Sequence, residues 1–197
     1  MYRFVFKRLL DFIVSFILLV ILTPFLGILF VLVKLDSPGP FIFSTPRIGR
    51  GCQTFIFYKI RTMNQIAGIN ANDKTKPYVT TSENDKRITK IGVVLRKFHL
   101  DELPQLINVL IGDMSLIGVR PDAPSQISDY KKRFWVNRHL IRPGITGLSQ
   151  IHSGDPNFSF SLRNKYDLFY VKSKQGLSLD LHIVYRTVLK VTKGDSF

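Results

Sequence analysis

The sequence predicts a helix-rich α+β protein, with an N-terminal apolar helix that dips into a membrane and returns, interfacial amphipathic helices, and a small β hairpin. Three observations carry that expectation. Phe12 to Val33 contain no charged residue, two runs rich in aromatic and β-branched residues flank Gly49 and Gly51, and most of the remaining periodicity is helical. The expected organisation is an anchor over residues 1–36 followed by one globular unit over 37–197.

As a helix the uncharged run would extend roughly 33 Å, against a hydrocarbon core of roughly 30 Å. A secretory leader has a shorter apolar stretch and a small-residue cleavage site, which Lys34-Leu35-Asp36-Ser37-Pro38 does not supply. A soluble helix apolar on every face would be out of place beside Arg3, Lys7 and Arg8 in so small a chain. Those three bases precede the run, and Lys34, Arg47, Arg50, Lys59 and Arg61 follow it, so neither flank favours translocation. Thr23 and Pro24 fall at mid-segment, where proline removes a backbone donor and presses on the carbonyl of Val20. The Thr23 hydroxyl can satisfy a carbonyl one turn back. These two residues are the expected break of a re-entrant helix pair, with a kinked spanning helix as the alternative.

Ser37-Pro38-Gly39-Pro40 ends the segment in a rigid turn. Phe41 to Ser44 and Thr54 to Ile60 then form the expected hairpin, leading to Tyr58-Lys59-Ile60-Arg61-Thr62-Met63. Asn64 to Asn84 is polar and aperiodic, a surface loop. Arg87 to His99 places Ile88, Ile91, Leu95 and Phe98 on one face among basic residues, which suits either a membrane interface or an outer helix. The next helix opens at Asp101-Glu102-Leu103-Pro104 and carries Leu103, Leu106, Ile107 and Leu110 on one side. Gly112 to Pro121 and His139 to Pro156 are expected as structured loops, and a final helix near Leu179 to Val191.

The length, 197 residues, suits one compact unit with an appendage and excludes two independent enzymes. Lys and Arg number 28 against 14 Asp and Glu, and the resulting charge of +14 favours phosphates, nucleic acid or an anionic bilayer. No recognised nucleic-acid motif is present, so no nucleic-acid partner is expected. Cys52, the one cysteine, excludes an intramolecular disulfide and a zinc framework. His99, His139, His152 and His182 show no paired ligand spacing and receive no chemistry.

The chemistry therefore falls to Asp101 and Glu102. Adjacent acids at a helix start can simply complement its dipole. In so basic a chain they also lie where a phosphate would be drawn, and carboxylates repel phosphate unless a cation mediates. One carboxylate sharing Mg2+ with phosphate oxygens leaves the other free to attack phosphorus. Arg61, Arg87, Arg120 and Arg142 are candidate phosphate clamps, the last two in the Pro-containing turns Arg120-Pro121 and Arg142-Pro143-Gly144.

These residues give the chain a resemblance to the bacterial sugar transferase family, small monotopic phosphoglycosyl transferases that begin surface-glycan assembly on a polyprenyl phosphate. The matching blocks run almost end to end: Lys7-Arg8 with Asp11, the apolar segment at Thr23-Pro24, Ser37-Pro38-Gly39-Pro40, Tyr58 to Met63, Leu100-Asp101-Glu102-Leu103-Pro104-Gln105, Asn108 to Ser115, Arg120-Pro121, and Arg142-Pro143-Gly144-Ile145-Thr146-Gly147. The resemblance implies a re-entrant anchor at the cytoplasmic face of the bacterial inner membrane and a UDP-sugar as donor. It further implies polyprenyl (undecaprenyl) phosphate as acceptor and Mg2+-dependent transfer through a covalent intermediate. By position, Asp101 would be the nucleophile and Glu102 the metal ligand. Lys59, Arg87, Arg120 and Arg142 would handle phosphate, and Asp167 would be a further active-site acid. Where the family carries Gly-Pro-Arg-Pro, this chain has Gly118-Val119-Arg120-Pro121, which frees the backbone before Arg120. A homo-oligomer is compatible with all of this.

Overall fold

The computed structural model describes residues 5–64, 85–173 and 176–193. It is a helix-rich α+β fold with a long apolar N-terminal helix and two small sheets. The polar loop expected over Asn64 to Asn84 lies almost wholly outside the described residues.

Helix α1 runs over Lys7–Asp36, 30 residues in one stretch that includes Pro24. No residue leaves the helical run at Pro24, because proline removes only one donor and the Thr23 hydroxyl donates to the Leu19 carbonyl at 2.7 Å, so a change of direction there would be a bend within α1. Phe16, Ile17, Val20, Ile21, Phe25 and Ile28 are exposed along its middle, whereas Asp11 and Ser15 near one end and Leu29 and Val33 near the other are buried. Both ends are tied to the globular unit. At the start, Lys7 pairs with Asp180 at 2.9 Å, Arg8 donates to the Val109 and Leu110 carbonyls, and the Asp11 carboxylate accepts from the Leu116 amide. At the far end, Leu29 and Val33 pack with Ile60 and Leu95, and the Asp36 carboxylate accepts from the Ile91 amide at 2.9 Å.

Strands β1 (Ile42–Ile48) and β2 (Thr54–Ile60) form the expected hairpin, antiparallel with Ile42 opposite Ile60. Helix α2 is shorter than Arg87 to His99 and occupies Lys90–Lys97, because the Thr89 hydroxyl caps it by accepting from the Gly92 amide and leaves Arg87 in the preceding turn. Asp101 and Glu102 lie in a 3-10 turn, Leu100–Glu102, and helix α3 begins later, at Gln105–Ile111.

The stretches expected as loops contain a second sheet. Strand β3 (Ser115–Ile117) pairs in parallel with β4 (Gly144–Thr146), followed by α5 (Leu148–Ile151). Helices α4 (Lys132–Arg138) and α6 (Phe160–Lys172) carry no clear apolar stripe, since each turns charged residues inward: Arg138 and Asp167 are both buried. The final helix, α7, spans Gly176–Lys193, a turn longer at its start than its apolar spacing suggests. It buries Leu179 and Ile183 against Ile117, Leu148, Ile151 and Tyr170.

Candidate active site

His99 adopts a left-handed conformation (φ 53) that stops α2 and starts the 3-10 turn, in which the Glu102 amide donates to the His99 carbonyl at 3.1 Å. Pro104 follows without an amide to donate, where the opening of α3 needs none. The two carboxylates are thereby set side by side and both are buried, with Asp101 at 6% and Glu102 at 7% exposure.

Strand β2 supplies their cation. Lys59 Nζ lies 2.7 Å from Glu102 Oε1 and 3.4 Å from Asp101 Oδ2. Asn108 of α3 holds that strand in place: its Oδ1 accepts from the Tyr58 amide and its Nδ2 donates to the Ile56 carbonyl at 2.6 Å. The strand that carries Lys59 is thus tied to the helix that follows the acid pair. Arg120 meets the same Glu102 oxygen, its NH2 3.5 Å from Oε1. The loop bearing Arg120 is drawn tightly against β4. The Gly118 amide donates to the Thr146 carbonyl, and a Cβ on Gly144 would sit 2.0 Å from the Gly118 nitrogen.

Burial alone would raise the Glu102 carboxyl. The charges of Lys59 and Arg120, the hydrogen bond from Lys59 and nearby His99 outweigh it and hold the group well below the usual carboxylate range. The result is a sheltered pair of carboxyl groups beside two cations, with Glu102 held anionic. Its oxygen donors suit a hard divalent cation such as Mg2+. Among the described residues no three His, Cys, Asp or Glu side chains form a cage, so the pair would hold such an ion with help from substrate oxygens and water.

Of the residues singled out in the sequence, the structure brings together Asp101, Glu102, Lys59 and Arg120. Arg61 is buried and spends its guanidinium on the end of α1, donating to the Val33, Ser37 and Pro38 carbonyls. Arg87 forks onto Asp85. Arg142 donates through Nε to the Gly112 carbonyl, beyond the far end of α3 from the acid pair. Asp167 is buried against Arg138, with 2.5 Å between Asp167 Oδ2 and Arg138 NH1. Sequence reasoning passed over Asn108, Asp122 and Arg138. The family-like block beginning at Asn108 pointed to the first, and Asp122 directly follows Arg120-Pro121.

Comparison with known proteins decides the family, since the bacterial sugar transferase profile matches residues 2–194. The chain belongs to the bacterial sugar transferase family. Among its relatives in that family is the UDP-N-acetylgalactosamine-undecaprenyl-phosphate N-acetylgalactosaminephosphotransferase of Aeromonas hydrophila, 36% identical over 98% of this chain and 45% of that protein. The UDP-glucose:undecaprenyl-phosphate glucose-1-phosphate transferase of Klebsiella pneumoniae is 39% identical over 94% of this chain and 40% of that protein. The chain therefore spans less than half the length of these two relatives. By contrast, the exopolysaccharide production protein PSS of Rhizobium leguminosarum bv. phaseoli is matched over 98% of both chains at 36% identity.

Proposed function

We propose that this bacterial sugar transferase moves a sugar 1-phosphate from a UDP-sugar to undecaprenyl phosphate, giving undecaprenyl diphosphate sugar and UMP as the first membrane step of surface-glycan assembly. The observation that carries the reading is the buried Asp101-Glu102 pair faced by Lys59 and Arg120. The substrates named for the Aeromonas and Klebsiella relatives agree with it.

Asp101 is the nucleophile. One of its carboxylate oxygens attacks the phosphorus that bears the sugar, the bond from that phosphorus to the bridging diphosphate oxygen breaks, and UMP leaves with the electron pair. An oxygen of undecaprenyl phosphate then attacks the same phosphorus, and the bond to Asp101 breaks to restore the carboxylate. Glu102, kept ionised by its neighbours, is the proposed Mg2+ ligand; when bound, the ion supplies charge neutralisation at the phosphate oxygens. Lys59 and Arg120 stabilise charge on the transferring group. Asp167 bears on the site through Arg138, which donates to both the Asp167 carboxylate and the Arg120 carbonyl.

The anchor reading follows from α1. Its two ends reach the same globular unit, one at Val109 and Leu110 and the other in the cluster that includes Leu103, roughly 9 Å apart along one chain stretch at 1.5 Å per residue. Straight helix from Arg8 to Leu29 would cover roughly 32 Å. That mismatch favours a path turning back at Thr23-Pro24, with residues 1–36 as a re-entrant anchor and 37–197 as the catalytic unit at the cytoplasmic face. Helix α2, with exposed Val93, Val94 and Phe98 beside its bases, and α7, with exposed Leu181, Tyr185 and Val188, are the proposed interfacial helices. A panel of UDP-sugars offered to the full chain with undecaprenyl phosphate, following UMP release, tests the assignment. Silence with every donor would reject it.

A further inference from the structure

We propose that Arg138 is a positioning residue for Arg120: buried between two carboxylates, it fixes the main chain that brings the Arg120 guanidinium to Glu102. The proposal rests on reading Asp101-Glu102 as the transfer site.

Arg138 is 1% exposed, and each of its three nitrogens already donates to a different residue. Nε reaches Asp122 Oδ2 at 2.9 Å, NH1 reaches Asp167 Oδ2 at 2.5 Å, and NH2 reaches the carbonyl oxygen of Arg120 at 2.8 Å. The cradle is balanced. Arg163 of α6 places NH2 2.8 Å from Asp122 Oδ1 and Nε 3.8 Å from Asp167, so two carboxylates meet two guanidiniums. Tyr130 donates its hydroxyl hydrogen to Asp122, and burial pushes the neighbouring His139 down, which keeps that ring neutral. Removing any one charge would strand its partner away from water, so the cluster holds one geometry.

That geometry ends on the Arg120 loop. Val119 bridges to Pro143 beside the small parallel sheet, and Pro121 follows Arg120. Between them the Arg120 carbonyl takes its hydrogen bond from Arg138. The Arg120 side chain is 41% exposed and meets Glu102 at 3.5 Å, a separation at which a small backbone shift makes or loses the contact. A guanidinium spreads its donors over three nitrogens in one rigid plane, whereas an ammonium carries its three on a single rotatable atom. Arg138 thus ties α4 and α6 to a side chain of the active site without touching substrate.

A double-mutant cycle separates positioning from general support. Arg138→Lys and Asp167→Asn are each made in the full-length protein with Arg120 intact and again with Arg120→Ala, and UMP release from the accepted UDP-sugar is measured beside thermal unfolding. With Arg120 intact each should lower kcat/KM about tenfold, and on top of Arg120→Ala each should add less than about twofold. Equal fold losses in both backgrounds would overturn the proposal, whatever the change in unfolding temperature. If Arg138→Lys does not fold, Asp167→Asn loosens the same guanidinium and decides alone. A wild type silent with every donor would defeat the proposed function and this inference with it, and is distinguishable because no variant is then involved.

Discussion

The Lys59 ammonium bridges two adjacent buried acids, 2.7 Å from Glu102 and 3.4 Å from Asp101. Its effect on Glu102 sets a pH dependence. A carboxyl held below its ordinary value contributes stability above that value and loses it only as pH falls through the lowered one, here about 2. Wild-type activity should therefore show no acid limb from Glu102 under mildly acidic conditions. In Lys59→Met the largest opposing charge is gone and burial raises the group, so an acid limb in kcat/KM should move up by about one pH unit or more. An acid limb identical to wild type would show that Lys59 does not control Glu102.

The Arg61 guanidinium donates to the Val33, Ser37 and Pro38 carbonyls at the end of α1, which predicts that its loss acts on stability rather than on substrate binding. Arg61→Ala leaves those acceptors without their donor at a cost of roughly 1–3 kcal/mol for each that stays buried. The expected result is a lower unfolding temperature in detergent, with the donor KM of the surviving folded protein little changed. A selective rise in donor KM at unchanged stability would restore the phosphate-binding role.

For the anchor, cysteines introduced near Tyr2 and near Gly39, in a Cys52→Ser background, should both be protected from an impermeant reagent in intact cells. Labelling near Tyr2 alone would mean that α1 spans the membrane. Pro24→Ala tests the turn itself, and should expose the site near Tyr2 if proline forces the return.

Much of this arrangement was legible in the chain, for reasons that differ by element. The hairpin and α7 announce themselves by periodicity and β-branched content, and α1 by its unbroken apolar run. Asp101, Glu102 and Arg120 could be picked out because acids amid +14 and an arginine fixed by proline are chemically unusual. The partners of Arg61 and Asp167 were not legible because sequence gives no sign of burial: the one donates to carbonyls at the end of α1 and the other meets Arg138, 29 residues away in the chain. The parallel pair β3 and β4 was hidden because three-residue strands between glycines and prolines read as loop, and their pairing is non-local. Helices α4 and α6 escaped notice because their inward faces carry Arg138 and Asp167, which break the apolar stripe.

Activity should require a divalent cation, since the paired carboxylates would otherwise repel a diphosphate. Glu102→Gln keeps the shape and removes the charge, so it should lower turnover by at least about a hundredfold and shift the Mg2+ requirement to higher concentration. Full turnover in excess chelator would remove the ion from the mechanism.

The covalent role of Asp101 is the centre of the account, and rapid-quench intact-protein mass spectrometry with the UDP-sugar alone tests it most directly. The wild type should gain the mass of one sugar phosphate while releasing UMP in a burst before any undecaprenyl phosphate is added, the adduct should map to Asp101, and Asp101→Asn should show neither adduct nor burst. Release of UMP only when undecaprenyl phosphate is present, with no adduct at any quench time, would contradict the account and establish direct transfer between the two substrates.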